Sequence, residues 1–103
     1  MRRLSFAAVT VLHAAARGAG YGFEIIDETG LPSGTVYPAL ARLERDGYVR
    51  SQWEDAAIAR EEQRPPRRYY RVTAAGVRVL NAELARYRAL KPLATLARGK
   101  GRG

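Results

Sequence analysis

The sequence contains no cysteine. Disulfide bonds, thiolate nucleophiles and cysteine-ligated zinc sites are therefore excluded within the chain, and a cytoplasmic setting suits it. The chain also has a single histidine, His13, and no glycine-rich phosphate loop. Because no catalytic constellation can be assembled, we expect a protein that is not an enzyme and that holds no cofactor. His13 is interpreted as a packed or interface histidine.

Long hydrophobic runs are also absent. Residues 4–16 are apolar and follow a basic start, as in a secretory signal, but Ser5, Thr10 and His13 interrupt them and no small-residue cleavage site follows. We interpret this run as a helix of the fold. It is too short to span a bilayer. No helix combines a strong apolar face with a basic one, so association with a membrane surface is not expected either.

Acidic residues are few. The chain carries 10 Asp plus Glu against 18 Lys plus Arg, a formal net charge of +8 over 103 residues. Such a charge attracts polyanions, which leaves nucleic acid and anionic membrane as candidate partners. Nearly all the cations are arginine, which suits phosphate oxygens and guanine edges, although an arginine-rich genome gives the same bias. The acidic residues Glu24, Asp27 and Glu28 are interpreted as the solvated face of a helix, so no metal site is expected.

Hydrophobic periodicity predicts three helices, then two strands, then a long helix. The first two helices span residues 4–17 and 21–29, and the third ends at Asp46 with Ser33 or Thr35 as its N-cap and Pro38 in its first turn. Residues 48–53 and 68–72 alternate as strands, with a long flexible tip between them. The last helix begins after Thr73 and carries an apolar stripe.

This order predicts a mainly α, α+β fold: a winged helix-turn-helix domain over residues 1–76, with an additional long C-terminal helix over residues 77–97. Residues 98–103 are predicted to be a disordered basic tail. In a helix-turn-helix, the N-terminal part of the second helix of the motif enters the major groove. The DNA-binding candidates are therefore those of the third helix and the loop between the strands, namely Ser33, Gly34, Thr35, Tyr37, Arg42, Arg45, Arg64, Arg67 and Arg68.

Two runs carry a family resemblance: "SGTVYPAL" from Ser33 and "RRYYRVTAAG" from Arg67, with shorter matches around Tyr21 and Gly47. With these runs the chain resembles the PadR family of transcriptional regulators, in its short form with one C-terminal helix. The resemblance implies a repressor that reads a palindromic operator on double-stranded DNA as a homodimer. It also adds Pro38 to the DNA-binding candidates of the third helix. It places the dimer interface on the first and last helices, at Leu4, Val11, Val77, Leu80, Leu84 and Tyr87.

The chain departs from that pattern in two places. Its wing is longer and partly acidic, and its last helix has no tryptophan, since Trp53 lies in the first strand. Binding of drugs in a dimer cavity is therefore not supported, and any small-molecule effector is unknown. The alternative function is a winged-helix module that binds protein or RNA without reading duplex sequence. Arginines gathered on one surface with Ser33 and Tyr37 would favour duplex DNA.

Overall fold

The computed structural model describes residues 3–90. Helices and strands follow one another in the order predicted for a winged helix-turn-helix, with one additional helix between the strands. The elements are α1 Phe6–Ala16, α2 Gly22–Thr29, α3 Ser33–Arg45, β1 Val49–Trp53, α4 Ala56–Glu61, β2 Arg68–Val72 and α5 Ala74–Ala89. The predicted fold class is confirmed.

The core lies where α1, α2 and α3 meet beneath the sheet and α5. Leu12, Ile25 and Leu40 are fully buried there. In α3 the buried residues recur at helical spacing, as predicted, at Val36, Ala39, Leu40 and Leu43. Each fully buried aliphatic side chain contributes about 1.5–3 kcal/mol, so this stripe firmly attaches α3 to the core and leaves its other side exposed.

The start of α3 differs from the prediction. Neither Ser33 nor Thr35 caps the helix; the N-cap residue is Pro32, which is extended (φ −69°, ψ 156°), and no side chain bonds to the first turn. The Pro32 carbonyl instead accepts the amides of Thr35 at 2.9 Å and Val36 at 3.0 Å. Because Ser33 is already the first helical residue, its hydroxyl is left exposed.

Pro38 lies inside α3 and not in its first turn, so that prediction is also wrong. A proline within a helix removes one amide donor and crowds the carbonyl four residues earlier. Here that carbonyl belongs to Gly34. The helix continues past the proline to Arg45.

The sheet consists of β1 and β2, which pair antiparallel from Val49↔Val72 to Trp53↔Arg68. The connection between α1 and α2 adds an unpredicted contact to its other edge: Tyr21 forms an isolated bridge with Tyr69. The amide of Tyr70 also donates to the Gly20 carbonyl at 2.8 Å. The sheet is thus fastened to the helix-turn-helix by backbone bonds.

Residues 54–67, which we call the wing insertion, do not form a flexible tip. They contain α4, which is capped by the Asp55 carboxylate, the acceptor of the Ala57 amide at 2.8 Å. Ala59 is 1% exposed. A buried alanine and a capped helix give the insertion a packed structure. The sequence did not predict it, because the many charges and two prolines of this segment are typical of a flexible loop.

The last helix is part of the core. It begins at Ala74, so the boundary predicted after residue 76 falls inside it, and it buries Val79 and Leu80. It also buries Glu83, whose carboxylate accepts the Leu4 amide at 2.9 Å and pairs with Arg86 at 2.9 Å. Residues 91–97 and the tail 98–103 lie outside the described residues. Within the described part, no helix has the length and apolar character needed to cross a membrane.

Candidate nucleic-acid interface

The exposed side of α3 carries most of the predicted DNA-binding residues. Ser33, Gly34, Tyr37, Pro38, Arg42 and Arg45 are all exposed, and Thr35 is half-buried. Arg42 and Arg45 lie in the last turn. Since the buried stripe faces the core, the helix presents small and polar groups at its N-terminal end and two cations at its C-terminal end.

Tyr37 is held in place by α2. Its ring packs on the backbone of Gly22, the first residue of α2, so closely that a Cβ added at Gly22 would overlap the Tyr37 hydroxyl. Even so, Tyr37 remains 42% exposed. The contact positions the ring at the junction of the two helices of the motif, with one side open to a ligand.

Arg68 connects the wing, which is the β1–β2 hairpin with its insertion, to α3. Its guanidinium donates to Ser51 Oγ at 2.9 and 2.7 Å and to Glu44 Oε1 at 3.2 Å. The Ser51 hydroxyl in turn donates to the other oxygen of Glu44. The side chain of Arg68 is 42% exposed, so it can meet an anion while it holds this position.

Arg67 connects the wing to the start of α2. Its guanidinium carbon lies 4.2 Å from the centroid of the Tyr21 ring, a cation–π distance. The hydrogen bond that Arg67 donates to the Tyr69 hydroxyl raises the pKa of Arg67 above its ordinary value, so the guanidinium stays cationic. Arg67 and Arg68 thus approach the helix-turn-helix from two adjacent positions of the wing.

Arg64 lies inside the wing insertion. It donates to both oxygens of Glu54, at 2.6 and 2.7 Å, and to Glu62 Oε1 at 3.0 Å. Its side chain is 18% exposed and that of Glu54 is 6% exposed. The bond from Arg64 lowers the pKa of Glu54 to about 2, and the Glu54 carboxylate raises that of Arg64. The cation of Arg64 is therefore neutralised within the chain.

A groove of about 560 Å³ lies between α2, α3 and the wing. It brings Tyr37 together with Arg67 and Arg68, whereas Ser33, Arg42 and Arg45 are not among its lining residues. Burial raises the pKa of Tyr70 in its wall, so that hydroxyl stays protonated. The lining is aromatic and cationic: Tyr21, Gly22, Phe23, Tyr37, Trp53, Arg64, Pro65, Pro66, Arg67, Arg68 and Tyr70.

The sequence reasoning missed two exposed arginines of the wing, Arg50 and Arg71, which face each other across the hairpin. Like charges directly opposite in an antiparallel pair destabilise it, so an anionic partner would relieve a repulsion built into the strands. Alternation in the two predicted strands indicates which face of its strand each arginine occupies, but only the register in the structure shows that the two are opposite each other.

The residues expected at a dimer interface are divided by the structure. Val11 and Leu80 are 0% and 5% exposed and belong to the chain's own core. Leu4, Leu84 and Tyr87 are half-buried, and Val77 is 45% exposed. Phe6, which was not predicted, is 68% exposed and makes an edge-to-face contact with Tyr87 at 6.1 Å between ring centroids.

The acidic residues of α2 behave as a solvated face. All three are exposed, and Glu24 accepts the amide of Gly20, a residue that precedes the helix, at 2.7 Å. Over residues 3–90 no group of three or more potential ligands is arranged to hold a metal ion.

Comparison with known proteins gives one family and one fold. The model of the transcriptional regulator PadR-like family matches residues 11–82. The fold is similar to that of a PadR family transcription regulator from Clostridium difficile (TM-score 0.74, 23% identity, 89% of this chain and 97% of that chain covered). It is also similar to that of a PadR family transcriptional regulator from Eggerthella lenta (TM-score 0.65, 26% identity, 84% and 80% covered). No curated protein matches the chain.

Proposed function

Because this chain belongs to the PadR-like family of transcriptional regulators, whose members regulate transcription through DNA binding, we propose that it is a homodimeric repressor of a palindromic operator. It reads the major groove with α3 and contacts the backbone with the wing. It works in the cytoplasm, where the DNA is, and performs no catalysis. The observation that carries the proposal is the groove that joins Tyr37 of α3 to Arg67 and Arg68 of the wing.

Direct base contacts are proposed for the N-terminal part of α3. Ser33, Thr35 and Tyr37 offer hydroxyls that can donate to or accept from base edges, and Gly34 and Pro38 allow close approach. Arg42 and Arg45, in the last turn, suit phosphate oxygens. Arg67 and Arg68 extend the phosphate contacts to the wing. Arg64 is left out of the DNA-contacting set because Glu54 already neutralises it.

Dimerisation is proposed through the apolar residues that the single chain leaves accessible on α1 and α5. Phe6, Val77 and Leu90 are 68%, 45% and 51% exposed. We call these three residues, together with half-buried Leu84 and Tyr87, the apolar patch; Phe6 and Tyr87 are in contact, and Leu90 is the residue that follows α5. A patch of this kind on a small domain favours burial against a second copy, and two copies related by a two-fold axis would present two α3 helices to the two halves of a palindrome.

The test is to capture genomic DNA fragments of the source organism with purified protein at moderate salt, which suppresses purely electrostatic binding. Wild type is compared with a Thr35→Ala/Arg45→Gln variant. The control is Arg88→Gln, which removes one exposed cation from the last turn of α5. We expect wild type and control to retain a few sites that share a two-fold-symmetric motif, and the α3 variant to lose them.

Repression and dimerisation are then measured separately. A reporter driven through a recovered site should be less active when the protein is present, and sedimentation should give about twice the 11.4 kDa chain mass. Uniform retention of all fragments, or retention of RNA alone, would overturn the proposal and favour the interaction or RNA-binding module.

A further inference from the structure

We propose that the Glu54–Arg64 ion pair is a positioning device for DNA binding: it closes the wing insertion at its base and so holds Arg67 and Arg68 against the helix-turn-helix. The inference rests on the proposed function, which it deepens. It assigns Arg64 and Glu54 a role in presenting other cations rather than in touching DNA.

The pair closes the insertion where it leaves the sheet. Beyond the last strand pair, Trp53↔Arg68, the Glu54 amide donates to the Arg67 carbonyl at 2.8 Å. The Glu54 carboxylate then accepts hydrogen bonds from the Arg67 amide at 3.1 Å and from both terminal nitrogens of the Arg64 guanidinium. One carboxylate thus joins the residue that enters the insertion to two residues that leave it.

The segment that leaves the insertion is also stiff. Pro65 and Pro66 separate Arg64 from Arg67, and each proline fixes one backbone dihedral. The Arg64 side chain donates to the Pro65 carbonyl at 3.3 Å as well. Fixing Arg64 on Glu54 therefore fixes the path of the chain into Arg67 and Arg68.

The Glu54–Arg64 pair at the base of the insertion holds two contacts between the wing and the helices in place. Arg67 lies over Tyr21, at the start of α2, and Arg68 reaches Glu44 on α3. A wing that moved at its base would have to reform both contacts on meeting DNA. Ordering each such side chain at the moment of binding weakens association by about two- to tenfold.

Substituting Glu54 gives a test, because positioning and direct contact predict changes of opposite sign in the affinity for the operator. Glu54→Gln leaves Arg64 with the exposed Glu62 as its acidic partner and removes one negative charge from a DNA-binding protein. If Arg64 or net charge alone mattered, affinity for the operator would rise. If the pair positions the wing, affinity falls. The matched control is Glu61→Gln, which removes an exposed carboxylate from α4 of the same insertion.

The experiment measures operator and random-duplex affinities of full-length wild type, Glu54→Gln, Arg64→Gln, Arg64→Lys and Glu61→Gln between low and moderate salt. We expect Glu54→Gln and Arg64→Gln each to lose about tenfold on the operator and a comparable factor on random duplex, because Arg67 and Arg68 are proposed to contact phosphates, which carry no sequence information. Arg64→Lys should lose less because the charge is kept. A Glu54→Gln/Arg64→Gln double variant, measured in the same way, should bind no more weakly than either single variant.

The salt slope separates the roles of Arg64 further. Log affinity falls as log salt rises. Removing a phosphate contact makes this slope shallower by about 0.9, whereas removing a positioning residue leaves the slope unchanged. A rise in operator affinity for Glu54→Gln, or a shallower slope for Arg64→Gln, would overturn the inference. Absence of any preferred site for the wild type would instead overturn the proposed function.

Discussion

At Gly76 the first turn of α5 touches the backbone of the α3–β1 connection. An added Cβ would overlap the carbonyl oxygen of Tyr48 and lie 2.8 Å from Val72 Cγ1. Backbone cannot rotate away as a side-chain tip can, so α5 would have to shift. We expect Gly76→Ala to lower the free energy of unfolding by about 1–3 kcal/mol, measured by urea titration.

Gly34 is the matched control for Gly76 and a test of the interface. A Cβ there meets nothing within 4 Å. Gly34→Ala should leave stability equal or higher, by up to about 1 kcal/mol, since alanine is the better helix former. If α3 approaches bases at this point, operator affinity should nevertheless fall. An alanine variant that binds as tightly as wild type would place Gly34 outside the interface.

The Glu54 carboxyl makes stability depend on pH in a defined window. Its pKa falls from 4.5 to about 2 on folding, so its stabilising effect is fully present above 4.5 and is lost as pH falls through about 2. We expect wild type to exceed Glu54→Gln in unfolding free energy by a constant amount near pH 7, and by less and less below pH 4.5. A difference independent of pH between 7 and 2 would contradict the pairing.

Among the elements, α3 shows how far sequence patterns predict this fold. The apolar stripe at Val36, Leu40 and Leu43 was predicted because apolar residues at helical spacing form the side of a helix that packs on the core. The helix start was not, since Ser33 and Thr35 are both good caps by type and the choice of Pro32 depends on the preceding turn. Pro38 was placed in the first turn for the same reason.

The wing insertion marks where sequence patterns fail. Six residues of α4 are too few for periodicity to identify, and the pairing of Glu54 with Arg64 joins positions that no local rule connects. Consequently Arg64 was predicted as a DNA contact with Arg67 and Arg68. The register of the strands, which decides that Arg50 faces Arg71, became known only with the structure.

The hairpin carries a repulsion that can be measured. Arg50 and Arg71 are opposite each other and both exposed. At low salt, we expect Arg50→Gln or Arg71→Gln to raise the unfolding free energy by about 0.2–1 kcal/mol, and the second substitution to add little. The gain should shrink at high salt because exposed charges are screened. Two fully additive gains would indicate that the arginines do not interact.

The whole molecule presents two unlike surfaces. The side of α3 and the wing is cationic and aromatic, with Arg42, Arg45 and Arg68 exposed. Phe6, Val77 and Leu90, on α1 and α5, make the apolar patch. A regulator that reads a symmetric site needs both, because in the proposed dimer the patch would set the spacing at which two cationic surfaces meet the DNA.

Substitution of Val77 tests whether the dimer forms through the apolar patch, and the same substitution at Ile58 is the control. The two side chains are 45% and 47% exposed, but Ile58 belongs to α4 in the wing insertion. Val77→Glu places two like charges at a two-fold interface, so we expect the dimer dissociation constant, measured by sedimentation, to rise by about two orders of magnitude with the fold retained. Ile58→Glu should remain dimeric. Operator binding should fall with Val77→Glu at low protein concentration and recover as concentration rises, because mass action restores the dimer. If Val77→Glu stays dimeric and Ile58→Glu dissociates, the copies meet through the wing, and α5 serves only its own core.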